Sequence, residues 1–183
     1  MAHPALVVID IQNDYFAGGN MPLHEPQAAA ERAAEVLDRF RQRSWPCFHP
    51  QHASLQPGAT FMIPDTPGQE IAAILTPAEN ETVITKHFPS AFQNTTLHEQ
   101  LQSLAIDQLV ICGMMTHMCI DTSVRAAFER GYRIQLIGDA TATRSLQYGG
   151  NTLSAESVQT AYLAGLSGVF ATVLNTQEWL GQS

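Results

Sequence analysis

Charge is scarce in this chain, and positive charge is scarcer still. Only 14% of its 183 residues are Asp, Glu, Lys or Arg, against about 25% in an ordinary soluble domain. Lys and Arg number 9 against 17 acidic residues, a formal net charge of −8. That sign argues against a nucleic-acid backbone or an anionic membrane surface as the main partner. The shortage of charge has two readings: a face covered by another subunit, or compositional drift. Cysteine is also rare. Cys47, Cys112 and Cys119 are odd in number and have no disulfide-framework spacing, which fits a reducing compartment. No apolar run approaches the roughly 18–20 residues that a membrane span needs. The first residues carry neither the basic segment nor the cleavage site of a secretory signal, so the expected location is the cytoplasm. No Gly-x-Gly-x-x-Gly follows a strand, and there is no phosphate-binding Gly-Lys loop and no Gly-x-Ser-x-Gly elbow. These absences weigh against dinucleotide binding, nucleotide hydrolysis and serine hydrolase chemistry.

What is present is an ordinary globular composition, 45% apolar. A chain of this length buries about 70% of the surface exposed by its unfolded form. One domain over residues 1–183 is therefore expected, with no need of disulfides or metal. Six short apolar runs read as strands: Ala5–Asp10, Trp45–His49, Thr82–Lys86, Gln108–Gly113, Arg133–Gly138 and Val169–Leu174. Several alternate little between apolar and polar, as strands buried on both faces do. Between them lie segments of helical spacing: Gln27–Arg43, Gly68–Leu75, Leu97–Leu104, Cys119–Arg130 and Ser154–Leu166. Ala30, Ala33, Ala34, Leu37 and Phe40 make one apolar face of the first. Strand and helix in alternation predict a three-layer α/β fold, an open parallel six-stranded sheet flanked by helices with Rossmann-like topology. The stretch Gln51–Pro67 reads as a loop long enough to suspect of function.

In open α/β sheets ligands bind beyond the carboxyl ends of the strands. Asp10, His49, His52, Lys86, His87, Met114–Cys119 and Asp139 end or follow strands and are the residues to inspect. Asp10 closes Val-Val-Ile-Asp, at the rim of a core, where a carboxylate needs a cation beside it. Lys86 closes Thr-Val-Ile-Thr-Lys and should emerge near it. Cys119 falls where a buried strand turns into a helix, and the unpaired N–H groups and dipole of a helix N-terminus favour a thiolate there. The same N–H groups can hold an oxyanion. Cys47 and Cys112 lie within strands and read as small buried hydrophobes. His49, His52 and His87 raise the question of zinc. The His-x-x-His spacing across a strand end does not put both rings on one face, and no carboxylate is interleaved, so no metal is expected. Asp139 reads as a loop or cap residue.

The chain resembles the isochorismatase-like cysteine hydrolases. Val7-Val8-Ile9-Asp10-Ile11-Gln12-Asn13-Asp14-Tyr15 is similar to the family's opening strand and its Asp-x-Gln-Asn-Asp-Phe motif. Ile84-Thr85-Lys86, with Ser90-Ala91-Phe92, is similar to its lysine segment. Gly113-Met114-Met115-Thr116-His117-Met118-Cys119 is similar to its Gly-x-x-Thr-x-x-Cys motif, and Asp139-Ala140-x-Ala142-Thr143 to its post-strand motif. The resemblance implies a triad of Asp10, Lys86 and Cys119. It also implies a cis peptide at Met114–Met115 and an oxyanion hole built from the backbone N–H groups of Met115 and Cys119. Pocket walls would come from Tyr15, Phe92 and His117. The nicotinamidase branch binds metal through an Asp-x-His pair, but His52 and Ser54 stand at those places here, so no cofactor is expected. The cysteine is absent from true isochorismatases. Its presence tilts the reading to hydrolysis of a C–N bond in a small amide, ureido or lactam substrate, through a thioester. Two alternatives stand beside this: vinyl-ether hydrolysis by Asp10 and Lys86 alone, or a redox-responsive scaffold. The resemblance also leads us to expect a homo-oligomer, dimer or tetramer.

Overall fold

In a computed structural model that describes residues 4–182, the first element is the strand β1 (Pro4–Ile9), buried from Ala5 to Ile9. It continues through α1 (Pro26–Gln42), β2 (Cys47–His52), β3 (Thr82–Lys86), α2 (Leu97–Ser103) and β4 (Gln108–Met114). Then follow α3 (Asp121–Glu129), β5 (Arg133–Ala142), β6 (Leu146–Tyr148), β7 (Asn151–Leu153), α4 (Ala155–Leu166), β8 (Thr172–Leu174) and α5 (Thr176–Leu180). Six strands form one parallel sheet in the order β3-β2-β1-β4-β5-β8. β6 and β7 form a separate antiparallel hairpin.

The lack of alternation in β1 has a direct cause. Leu6 and Val8 face a core built with Ala33, Leu37 and Phe40 of α1 and Trp179 of α5. Ala5, Val7 and Ile9 face a second core with Leu97 and Leu101 of α2, Val124 and Ala127 of α3, and Leu166 of α4. Both faces are covered, so every residue of the strand is apolar. Each fully buried Leu or Phe contributes about 1.5–3 kcal/mol.

β1 and β4 lie in register from Pro4 opposite Gln108 to Ile9 opposite Gly113. At the last pair only glycine fits. Gly113 has φ +130°, and a Cβ there would lie 2.0 Å from the Ile9 carbonyl oxygen. The register between β4 and β5 also shifts at this point.

Several expected elements move. Trp45–His49 is replaced by Cys47–His52, and β5 runs on to Ala142. The strand expected over Val169–Leu174 shrinks to Thr172–Leu174, with Val169 68% exposed. The helix expected over Gly68–Leu75 is only a 3₁₀ turn at Ala73–Leu75. There the chain spends its hydrogen bonds elsewhere. Gly68 O accepts from Asp14 N, and Glu70 O accepts from Asn13 N. The β6–β7 hairpin and α5 were not expected. A capping box of Asn175 and Glu178 starts α5, and Asp139 Oδ1 accepts from Thr176 N and Oγ1 at 2.8 Å each. Asp139 thus has the structural role its sequence position suggests. Among the described residues no helix is long and apolar enough to cross a membrane.

Candidate active site

Three strand ends bring the site together. Asp10 follows β1 immediately and takes a left-handed backbone (φ 51°), a conformation that Asp tolerates better than most residues. Lys86 is the last residue of β3, beside His52 in the β2–β3 register. Cys119 sits in a wide helical turn, Thr116–Ile120, that joins β4 to α3. Asp10, Lys86 and Cys119 are almost wholly buried, at 1%, 1% and 6% exposure.

Lys86 is the hub. Its Nζ lies 2.7 Å from Asp10 Oδ2, 3.0 Å from Phe88 O, 3.4 Å from His52 Nδ1 and 3.5 Å from Cys119 Sγ. The contact with Asp10 is an ion pair, and neither carboxylate oxygen receives a well-directed hydrogen bond from the described residues. The carboxylate therefore keeps room to accept a proton. Burial pulls the Lys86 ammonium toward deprotonation, but the Asp10 carboxylate and the hydrogen bonds to Asp10 and Cys119 outweigh it, and the pKa is raised. Lys86 is a cation here.

The thiol of Cys119 behaves otherwise than the helix-terminus argument predicts. Burial pushes its pKa well above the ordinary thiol range, the Asp10 charge adds to this, and Lys86 works against it. A helix dipole is worth about 0.3–1 kcal/mol, at most about 2. Burial of the sulfur, the largest effect on it, outweighs that contribution. In the resting site Cys119 is a thiol. Cys47, pushed up to about 12 by burial, and Cys112, also raised by burial, are protonated too.

The Met114–Met115 peptide bond is cis. Past it, the Met115 carbonyl accepts from the N–H groups of Met118 and Ile120 and so fixes the turn that carries Cys119.

Tyr15 is 2% exposed, and its phenol pKa is raised by burial first, with the nearby Cys119 sulfur and Asp10 carboxylate adding to it. It stands within electrostatic reach of the site. His117 is buried in the Cys119 turn, where its Nδ1 pairs with Thr143 Oγ1 and its ring meets Tyr162 edge-on at 5.9 Å. Its Nε2 has no partner among the described residues. Phe92 is buried in the same apolar cluster as Cys119. Its ring packs against Tyr132 at 6.2 Å, under Arg130 at 5.0 Å. Those partners lie far off in sequence, so a strand-end reading could not find them.

The imidazoles go separate ways. His49 Nε2 lies 2.9 Å from Glu81 Oε2, on the α1 side of the sheet. His87 Nδ1 lies 2.8 Å from Ala53 O. His52 alone turns to Lys86. Among the described residues no three His, Cys, Asp or Glu side chains could hold one metal ion. Ser54 in place of the second ligand removes the donor that the nicotinamidase branch uses, so this donor set does not fit that metal.

Two features escaped the sequence reading. Gln12 clamps His52 through its backbone, with Gln12 Nε2 donating to His52 O at 2.9 Å and His52 N donating to Gln12 Oε1 at 2.8 Å. Asp14 fastens the long segment after β2 by accepting from the N–H of Met62. Phe61 of that segment lies over His52, with rings 6.3 Å apart and 12° from parallel. Arg144, just beyond β5, is exposed, and its charge reaches both Tyr15 and His117.

Residues 4–178 match the isochorismatase domain family. The chain belongs to that family. It is 49% identical over 176 residues to the isochorismatase family protein YddQ of Bacillus subtilis (strain 168), covering 96% of this chain and 98% of that protein. It is 32% identical over 139 residues to a streptothricin hydrolase of Streptomyces noursei, covering 76% of this chain and 49% of that protein. An isochorismatase structure from Pseudomonas putida KT2440 superposes with a TM-score of 0.90 at 35% identity, covering 96% of this chain and 89% of that one. The N-carbamoylsarcosine amidase of Thermoplasma acidophilum superposes with a TM-score of 0.81 at 25% identity, covering 96% and 97%. This is a family of hydrolases with amidases among its members.

Proposed function

We propose that this family member hydrolyses a C–N bond in a small amide, ureido or lactam substrate, with Cys119 as nucleophile. The observation that carries the reading is the buried contact of one ammonium, Lys86, with both the Asp10 carboxylate and the Cys119 sulfur. The amidase and streptothricin hydrolase relatives support the bond type.

Asp10 takes the proton of the Cys119 thiol as Sγ attacks the substrate carbonyl. Lys86 stays charged throughout and holds the negative charge as it moves from carboxylate to sulfur. The N–H groups of Met115 and Cys119 receive the developing oxyanion, where one donor is typically worth about 10²–10³ in rate. The C–N bond breaks as Asp10 returns its proton to the leaving nitrogen, which leaves a thioester on Cys119. Asp10 then takes a proton from water, hydroxide attacks the thioester, and the acid departs as the proton returns to sulfur. Tyr15, His117 and Phe92 form pocket walls in this scheme. The exposed apolar side chains of Tyr148 (91%) and Leu153 (51%) on the β6–β7 hairpin support assembly of several copies.

The experiment is amine or ammonia release from a panel of small amides, ureas and lactams. Cys119→Ala is expected to abolish it with the fold intact. Wild-type enzyme quenched in turnover is expected to carry an acyl mass on the Cys119 peptide. Full activity in Cys119→Ala would replace the nucleophile with direct attack by water, as in vinyl-ether hydrolysis.

A further inference from the structure

An ammonium has three N–H bonds, and Lys86 has four neighbours within reach of them. Phe88 O is fixed by the backbone and does not change charge. Asp10 and Cys119 are the pair that exchanges a proton in the proposed reaction. The fourth is His52 Nδ1 at 3.4 Å, a group that the proposed mechanism leaves unused.

Nothing about His52 is loose. Gln12 holds its backbone from both sides, and its ring lies nearly parallel to Phe61. The groups that face the ring are Lys86, Asp10 and His87, while Phe61 covers it with an uncharged face. Burial, Lys86 and His87 lower its pKa, and Asp10 opposes them. The imidazole is therefore neutral near pH 7. With its proton on Nε2, it presents an acceptor lone pair to Lys86.

We infer that His52 is a positioning residue that competes with the Asp10–Cys119 pair for the N–H groups of Lys86, and so sets how readily Cys119 gives up its proton. While the sulfur is a neutral thiol it is a weak acceptor, and the imidazole holds an N–H that sulfur does not need. When the proton moves to Asp10, sulfur becomes an anion and outbids the imidazole, since bonds to charged acceptors are roughly twice as strong. His52 thus restrains the ammonium in the resting site and yields it at the moment of attack. No bond is made or broken at His52. The inference rests on Cys119 as the nucleophile, but its test reads the thiol alone and needs no substrate. The two ideas can therefore fail separately.

The test is the rate of Cys119 alkylation by iodoacetamide at pH 8, followed by mass spectrometry on the Cys119 peptide of folded protein. His52→Phe keeps a ring against Phe61 but removes the acceptor, so Lys86 gains an N–H for the pair. A tenfold rise in thiolate, partly offset by the lower nucleophilicity of a more acidic thiol, gives about a threefold faster reaction. His52→Leu, also without an acceptor, is the second variant should the first not fold. In His52→Asn a side-chain oxygen replaces Nδ1, and the rate is expected within about twofold of wild type. If His52 served only to pack against Phe61, the order would reverse, with the Asn variant disturbed and the Phe variant silent. That order, or an unchanged or slower rate in both acceptor-free variants, would overturn the inference.

Discussion

A thiol that burial holds protonated needs its base at hand, and the carboxylate of Asp10 is paired to a cation but not saturated with hydrogen bonds. Removing the base therefore does more harm than altering a pocket wall. Asp10→Asn should lower kcat by about 10²–10⁴, the usual worth of a positioned proton acceptor, and should also lower the thermal midpoint, because it leaves the buried Lys86 ammonium without its counter-charge. Lys86→Met breaks the same pair from the other side. It strands a carboxylate that is 1% exposed, and breaking a buried pair costs about 3–5 kcal/mol. Loss of stability in denaturant titration should accompany its loss of turnover, while an unshifted midpoint would mean that water reaches Asp10. The meeting of Asp10, Lys86 and Cys119 was legible because each ends or follows a parallel strand within a family-like motif. The state of the thiol was not. The helix-terminus argument sees local backbone, whereas desolvation depends on what closes over Cys119 from distant parts of the chain. The contacts of Phe92 with Tyr132 and Arg130, 40 and 38 residues away, were not legible for the same reason.

Elements were readable where one residue class dominates. β1 and β4 are nearly unbroken apolar runs, β1 running straight into Asp10, and the short β3 ends on Lys86. Of the apolar stripe read in α1, Ala30, Ala33, Leu37 and Phe40 are buried and Ala34 only partly; Ala29 and Val36 join them. The segment after β2 was not readable as structure, because its order comes from side chains elsewhere: Gln12 and Asp14 reach into it. α5 is short, and its cap is partly supplied by Asp139, which lies 37 residues away. The tightest element contact is β4 against β1 at Gly113. Gly113→Ala would push a methyl group into the Ile9 carbonyl and hold alanine at a positive φ. Overpacking and backbone strain each cost about 1–3 kcal/mol. A loss of about 2–6 kcal/mol is expected in chemical unfolding, together with reduced turnover, because Asp10 follows Ile9 directly. A variant as stable as wild type would show that the two strands separate freely.

Across the whole molecule, one buried ionic cluster lies apart from the site and ties the sheet to α1. Glu81 accepts from Arg41 at 2.7 and 3.0 Å and from Ala78 N at 3.0 Å, with His49 at 2.9 Å. Burial alone would raise the Glu81 carboxyl, but Arg41, Ala78 and His49 outweigh it and hold its pKa at about 2. A carboxyl depressed in the folded state stabilises fully above its unfolded pKa of about 4.3. That stabilisation falls away as pH drops from there through about 2. Burial also lowers the His49 pKa against the opposing effect of Glu81, so the unfolded chain takes up a proton, below about pH 6.5, that the folded chain refuses. Both groups make the fold sensitive to acid. The difference in thermal midpoint between wild type and Glu81→Gln should be largest at pH 5–7 and shrink toward pH 2. A constant difference would remove the charge from the explanation.

The position of β1 between β2 and β4 has a consequence for the exchange of backbone hydrogens with solvent. Amides in the middle of the sheet open only when both neighbouring strands and both helical layers let go, so their exchange should report the full unfolding free energy. Those of β8, with a single neighbouring strand, and of the β6–β7 hairpin, outside the main sheet, should exchange through small local openings. Deuterium uptake read peptide by peptide should therefore rank β1 and β4 slowest, and β8 and the hairpin fastest. On that ordering the strands bearing Asp10 and leading to Cys119 belong to the last part of the molecule to open. Lys86 arrives from the edge strand β3, and its peptide should gain deuterium well before theirs.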